Sequence, residues 1–418
     1  MGDWTVKAIS SFGRVVTGKT PPKANPEYFD GNELFVSPKD LDWDSTYIEQ
    51  TTTNISNKAL DKFKNQVLPR NAVMFTSLSF AFGKVGIAQK RCMTNQQINS
   101  VIVDDDNDFR FVYYLLRASK PFIFSFNSGI DTPIVPKSVF EKIELPCPKS
   151  REHQRKVAAV LSPYDELIRN TRRRIELLER IALQTFKEWF VRFRFPKHAK
   201  ATFTKGIPAG WTQTTLGSIC EFTMGQSPKS EFYNEIGDGL PFNQGVGTYG
   251  RRFPSREVFC SVDGRRAKEG DILFSVRAPV GRLNIADCDM IIGRGLAAMR
   301  HKTGFNSYLF YLLRNAFSEE DIIGNGAIFN SVGKGELSKF VLLAPAPELV
   351  EQFDDFAKPI DRQIAALVVS IDKLKKDRDG LMARILSNKL DVAATDIVFP
   401  SSMLSDDLTV ETEELVHA

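Results

Sequence analysis

The sequence predicts an α+β protein made of two similar globular blocks, each followed by a long helix. Three observations carry this. Two charged stretches, near residues 151–194 and 347–390, repeat apolar side chains in steps of four and three. A series of residues from the first 150 positions recurs in the same order after residue 210. Within each block the pattern is of short strands with one or two helices.

The first long stretch places Leu161, Tyr164, Ile168, Thr171, Ile175, Leu178, Ala182, Thr185 and Trp189 on one seam. Arg172, Arg173, Arg174, Glu176, Glu179 and Arg180 fill the outer faces, as a heptad helix requires. No glycine interrupts it, and its one proline is Pro163. At 1.5 Å per residue, forty residues give a rod of roughly 60 Å. The second stretch repeats the spacing with Ile360, Ile364, Leu367, Ile371, Leu374, Arg378, Leu381 and Ile385.

In the first block, residues 1–150, Arg14-Val15-Val16 reads as a strand and Gly18-Lys19-Thr20-Pro21-Pro22 as a turn. Phe29 to Pro38, Ala72 to Thr76, Val85 to Ala88 and Ser100 to Val103 read as further strands, and Phe109 to Ala118 as a buried helix. A polar loop, Asn127 to Thr132, leads to Lys137–Phe140 and then Ile143–Pro146. Residues 195–210, with Pro196, Gly206 and Pro208 and little periodicity, form a linker. The second block, residues 211–346, repeats the first. Trp4, Gly18, Thr20 and Pro21 match Trp211, Gly225, Ser227 and Pro228 at one offset. Gly83, Ala88, Gly129 and Lys142 match Gly281, Ala286, Gly326 and Lys339, and Tyr114–Arg117 matches Tyr311–Arg314. Between these anchors the copies diverge, which suggests similar readers of two different things.

Composition narrows the class. No N-terminal basic region precedes an apolar run, and no apolar segment approaches the roughly 18 residues of a membrane span. Cys92, Cys147, Cys220, Cys260 and Cys288 form no Cys-x-x-Cys pair, so free thiols in a reducing cytoplasm are expected and a metal site is not. Net charge is +4, but residues 391–418 hold seven acidic residues and no Lys or Arg. A basic body with a solvated, flexible acidic tail suits a nucleic-acid binder.

Signals for catalysis fail one by one. Gly245-Val246-Gly247-Thr248-Tyr249-Gly250 matches a dinucleotide fingerprint as a string, but Pro254 blocks the helix that must follow. Asp104, Asp106 and Asp108 begin like a calcium loop, yet Phe109 stands where glycine is required. Asn25-Pro26-Glu27-Tyr28 falls short of an adenine-holding methyltransferase loop. No Walker loop or nuclease carboxylate cluster is present. The chain is therefore expected to be non-catalytic and to bind no cofactor.

Base edges are read by Arg or Lys at guanine, Asn or Gln at adenine, and Ser or Thr at several partners. The divergent loops supply these types. The first block offers Lys19, Thr20, Lys84, Asn95, Gln96, Gln97, Asn127 and Ser128. The second offers Gln226, Lys229, Asn243, Gln244, Arg251, Arg252, Arg277, Arg282, Arg294 and Asn330. Arg172, Arg173 and Arg174 on the first rod are candidates for phosphate contact, the alternative being a solvated helix face.

Gly18-Lys19-Thr20-Pro21, Tyr28-Phe29-Asp30-Gly31 and Phe35–Leu41, with Ile207–Trp211, Leu216-Gly217 and Gly225–Pro228 in the second copy, resemble the specificity subunit of type I restriction–modification systems. Glu152-His153-Gln154 and Val350-Glu351-Gln352 resemble the family's helix starts. The resemblance implies two target-recognition domains that each read half of a split DNA site. The two long helices, which the family conserves, would form an antiparallel coiled coil that spaces the domains and docks two methyltransferase subunits. Packing two copies about a pseudo-dyad independently favours antiparallel rods. Partner subunits would bring S-adenosylmethionine, ATP and Mg; restriction (motor) subunits would join the complex. Gln154 to Asp165 and Gln352 to Asp361 differ in length, so symmetry at the helix starts is expected to be imperfect. The competing classes are a coiled-coil scaffold binding proteins and an enzyme that modifies DNA alone.

Overall fold

The computed structural model describes residues 3–78, 81–129, 132–317, 322–323, 327–328 and 331–404. The chain divides into two compact units: unit 1 holds Met1–Asn170 and Asp372–Ala418, and unit 2 holds Thr171–Ile371. Both division points fall inside the long helices, Arg151–Phe186 and Pro347–Leu386. The sequence suggests units of one block and one whole rod; the structure instead gives each unit a block and a segment of both rods. An apolar seam on a single helix has nothing to bury itself against, so each block core is completed by both.

In unit 1 a five-stranded sheet runs in the order Gly13–Thr17, Ile98–Val103, Val73–Thr76, Val85–Ala88, Tyr47–Ile48. A smaller sheet orders Thr53–Ile55, Glu33–Val36 and Cys92–Thr94, the last two parallel. The sequence-read strand Phe29 to Pro38 is shorter at both ends, spanning Glu33–Val36, after a 3-10 turn at Pro26–Tyr28. Phe109–Ala118 is the expected buried helix. Its first turn is fixed by Asp108, whose Oδ1 accepts from Phe111 N at 2.9 Å, so this residue is a helix cap. Phe111, Leu115, Phe75, Ile87 and Val101 share one core with Val157 and Leu161 of the first rod and Met382, Ile385 and Leu386 of the second.

Unit 2 repeats the plan. Cys220–Met224, Leu296–His301, Ile272–Ser275 and Leu283–Ile285 form the main sheet in that order. Leu240–Asn243 and Met290–Ile292 supply the parallel pair. Helix Asn306–Ala316 packs in a core closed by Ala182, Phe186, Val350, Phe353 and Ala357. The matched glycines of the repeat have a common cause. A Cβ on Gly18 would lie 2.2 Å from Asn95 O, and one on Gly225 would lie 2.1 Å from Gly293 O; Gly83 and Gly281 both take positive φ, 85° and 92°. Gly326 lies outside the described residues.

Along the first rod Leu161, Ile168, Ile175 and Ala182 are fully buried at intervals of seven residues. On the second, Ile364, Ile371, Arg378 and Ile385 are buried at the same spacing. Arg378 thus occupies a core position with no exposure, and its Nη1 donates to Asp165 Oδ1 at 2.5 Å. Tyr114 Oη donates to the other oxygen, Asp165 Oδ2, at 2.5 Å. In unit 2 Tyr311 Oη donates to Asp361 Oδ1 at 2.9 Å, and Arg252 pairs with the same oxygen. Asp165 and Asp361 are therefore counterparts, each two residues after a helix proline, Pro163 or Pro359. The helix starts are unequal, as expected, but Gln352 is not the counterpart of Gln154. Gln154 Oε1 accepts from Asp108 N at 2.9 Å, whereas Gln352 is exposed and Asp354 Oδ1 takes Tyr308 N at 3.0 Å.

The acidic tail departs from expectation. Residues 391–404 lie along the first rod as a strap: Val392 and Met403 are buried, Lys156 Nζ donates to Ala393 O at 2.7 Å, and Arg110 Nη2 donates to Ser402 O at 3.2 Å. The apolar side chains Val392, Ile397, Phe399 and Met403 explain this, since charge counting ignores them. Residues 405–418 lie outside the described residues.

Two outcomes are expected. Arg378→Ala leaves Asp165 buried without its cation, costing unit 1 about 3–5 kcal/mol. Hydrogen exchange should accelerate in Phe109–Ala118 while Asn306–Ala316 keeps its protection. Burial holds His153 below the usual histidine range despite Asp391 and Asp3, with Lys156 also lowering it. The unfolded chain then binds the extra proton, so this contribution is present above about pH 6.5 and lost as pH falls. Unit 1 should be less stable at pH 5.5 than at 7.5 in denaturant titrations, and His153→Gln should flatten that dependence.

Candidate nucleic-acid interface

Most of the sequence-named loop residues converge on one end of the main sheet in each unit. In unit 1, Lys19 N donates to Thr94 O at 2.9 Å, and Thr20 Oγ1 donates to Gln96 Oε1 at 2.7 Å. Asn95 Nδ2 donates to Gln97 Oε1 at 3.0 Å. The same edge receives Val135, whose N donates to Ser77 O at 2.8 Å, and exposed Ser128, whose N donates to Ile134 O at 3.1 Å, lies beside it. Lys84 immediately precedes strand Val85–Ala88 at that end, its N donating to Thr76 Oγ1 at 2.8 Å. The β-sheet rim thus presents hydroxyls, amides and an exposed lysine, the groups that recognise base edges.

Unit 2 builds the same rim from different side chains. Gly18 N donates to Ile98 O at 3.1 Å, and Gly225 N donates to Leu296 O at 2.9 Å, so Arg294 stands where unit 1 has Gln96. Thr76 Oγ1 accepts from Lys84 N, and Ser275 Oγ accepts from Arg282 N, also at 2.8 Å, so Arg282 stands where unit 1 has Lys84. Leu78 bridges to Ile134 and Arg277 to Ser331, so Arg277 stands where unit 1 has Leu78. Ser227 Oγ donates to Gln244 Oε1 at 2.9 Å and accepts from Arg294 N at 3.1 Å. Gln226 and Lys229 are exposed beside it. Ser227 is absent from the sequence-named set, although its match to Thr20 was available as a signal.

Other named residues do different work. Asn243 is buried, donating to Met290 Sδ at 3.1 Å, because its strand is central in its sheet. Asn127 spends its amide on its own loop, accepting from Gly129 N and Ile134 N. Lys84 Nζ is held by Pro38 O at 3.0 Å. Arg252 is 2% exposed, paired with Asp361 and stacked 4.0 Å over the Phe310 ring, so it cannot enter a groove. Arg251 lies 3.6 Å from Glu176 and 3.8 Å from Glu179 on the rod, away from the rim. Sequence reasoning grouped 251 and 252 with the readers because interleaved basic and aromatic residues look alike whether they face solvent or a helix. Arg173 pairs with Glu176 at 3.4 Å, and Arg174 is exposed on the same rod with Arg172 half-buried. Asn330 lies outside the described residues.

All five cysteines are free, and burial pushes the Cys92 and Cys220 thiols up to about 12. Burial, reinforced by the Asp165 charge, raises Tyr114 well above the ordinary phenol range, so it remains a hydrogen-bond donor. The Gly245–Gly250 stretch starts no helix: Val246–Thr248 is a 3-10 turn, and Tyr249 bridges back to Pro254. Among the described residues no group of three or more His, Cys, Asp or Glu could hold a metal ion, and no helix is long and apolar enough to cross a membrane.

A family model described as "Type I restriction modification DNA specificity domain" matches residues 1–180 and 208–375. The type I restriction enzyme MjaIX specificity subunit of Methanocaldococcus jannaschii is 28% identical over 410 residues, 93% of this chain and 94% of that protein. The putative MjaX specificity subunit of the same organism is 30% identical over 290 residues, 68% of each chain. A solved type I restriction-modification S subunit from M. genitalium, 16% identical, superposes with a TM-score of 0.55 over 91% of this chain and 96% of that one, a likeness of fold.

Arg252→Ala should cost unit 2 about 3–5 kcal/mol, by stranding Asp361, without altering base preference. Denaturant unfolding and selection from random duplexes check the two halves of that expectation.

Proposed function

Because this chain belongs to the type I restriction modification DNA specificity family, we propose that it is the DNA-reading, non-catalytic subunit of such a complex, each unit reading one half of a two-part site. One observation carries the proposal: the same sheet rim occurs in both units, with matched framework bonds and unmatched solvent-facing side chains. A scaffold that bound one kind of protein twice would have no need for different chemistry on a repeated rim. A chain that modified DNA alone would need a reactive site, and the rims offer hydrogen-bonding groups and cations instead.

The partners are methyltransferase subunits bringing S-adenosylmethionine and restriction subunits bringing ATP and Mg. Support comes from the rods: Leu167, Leu177, Ile181 and Val369 are 41–66% exposed, outside the buried seams. Four large apolar side chains left on helix surfaces favour association with another protein. Two methyltransferase subunits per chain match two copies of the repeat. The free thiols suit the cytoplasm.

Duplex binding should weaken steeply with salt, since phosphate contacts release counterions. Exchanging residues 1–150 for the corresponding block of a relative should change one half of the site and spare the other. Methylated-site mapping or binding selection provides the measurement. Simultaneous change of both halves would show that the units do not read independently.

A further inference from the structure

The two rims differ in a way that bears on which bases each reads. At three framework-matched positions unit 1 has Leu78, Lys84 and Gln96, while unit 2 has Arg277, Arg282 and Arg294. The matching rests on backbone and hydroxyl hydrogen bonds shared by the units, so it is independent of side-chain similarity. Arg277 and Arg294 are exposed at that end of the sheet. Both are fixed through their backbone: Arg277 bridges to Ser331, and Arg294 N is held by Ser227 Oγ. A planar guanidinium mounted on a fixed strand end is the group that best fits the paired O6 and N7 acceptors of guanine. At the positions of Arg277 and Arg294 unit 1 offers Leu78 and Gln96, suited to the thymine methyl group and to adenine N6/N7, and at the third its Lys84 Nζ is held by Pro38 O at 3.0 Å.

We infer that the half-site read by unit 2 contains guanine, with Arg277 and Arg294 as its reading residues. This rests on the assignment of the chain as a DNA reader and adds the base class of one half-site. Arg294 is the sharper of the two, because Ser227 holds it through its backbone N and leaves its guanidinium exposed, whereas the Gln96 side chain at the matched position accepts from Thr20 Oγ1.

The test uses the purified full chain and a pool of duplexes with a randomised 30-base-pair core, enriched through several rounds and sequenced. The native chain should enrich a two-part motif in which one half contains guanine. Arg294→Gln should leave the other half untouched and shift or relax one G·C pair in the guanine half, with discrimination there falling about 5- to 150-fold. Arg294→Lys keeps the charge but loses the fork, and should retain affinity while discriminating less. Arg277→Leu should act in the same way at a different pair of the same half. Because both side chains are exposed, circular dichroism of the variants should match the native chain.

An Arg294→Gln variant that weakens all sequences equally would make the residue a phosphate contact and overturn the inference. A two-part motif whose affected half contains no guanine would also overturn it, while leaving the DNA-reading assignment standing. Enrichment of no motif by the native chain would overturn that assignment itself, and this inference with it.

Discussion

In each unit a rod carboxylate lies between a tyrosine of the block helix and an arginine, and the rest of the packing is arranged around it. Asp165 receives Tyr114 Oη on one oxygen and Arg378 on the other, both at 2.5 Å. Asp361 receives Tyr311 Oη and the Arg252 guanidinium. Asp165 is buried and Asp361 half-buried, and a carboxylate drawn out of water is tolerated only when its charge is paired and its lone pairs are filled. That requirement fixes three elements at once: the block helix, the rod that carries the aspartate, and the segment that carries the arginine. Apolar contacts alone would permit the rods to slide by a heptad, since every seventh position looks alike; one polar position in the seam removes that freedom.

The two nodes share donor types and differ in where the arginine comes from. In unit 1 it is Arg378 of the second rod, surrounded by Asp44 and Asp379. In unit 2 it is Arg252 of a loop within the block, stacked on Phe310 and close to Glu179 of the first rod. The repeat therefore preserves the electrostatic outcome while changing the supplier. The helix starts show the same substitution of parts. Asp108 caps its own helix in unit 1, whereas Asp354 of the rod takes Tyr308 N in unit 2. What persists is the need to satisfy a buried N–H or a buried charge.

Function sits at the other end of the same logic. The strand ends of the main sheets are held by hydrogen bonds that do not depend on the identity of solvent-facing side chains. Gly18 and Gly225 permit a backbone approach that any Cβ would block. Thr76 and Ser275 close the hairpin that follows with the same pair of hydroxyl bonds. With the framework secured this way, residues 78, 84 and 96, and their counterparts 277, 282 and 294, are free to vary. A rigid frame carrying variable tips allows one fold to read different sequences.

The linear sequence alone determined much of this. Heptad spacing located both rods, because a helix that buries one face must repeat near 3.5 residues wherever it packs. The ordered recurrence of Trp4, Gly18, Gly83 and Tyr114 exposed the duplication, because turns and close approaches constrain single positions strongly. Pattern also placed most of the sequence-named loop residues on the rims, since polar types in divergent segments between fixed anchors tend to face outward. Tertiary structure decided what pattern cannot encode. Arg252 and Arg294 are the same side chain in similar loops, yet one is buried against Asp361 and the other exposed on a rim, because only long-range packing determines which partner lies within reach. Arg378 stood in the apolar seam as a visible anomaly, but its reason is Asp165, 213 residues earlier. The acidic segment after residue 391 was read from its charge. Val392, Ile397, Phe399 and Met403 instead found apolar surface on the first rod, which exists only once the chain has folded.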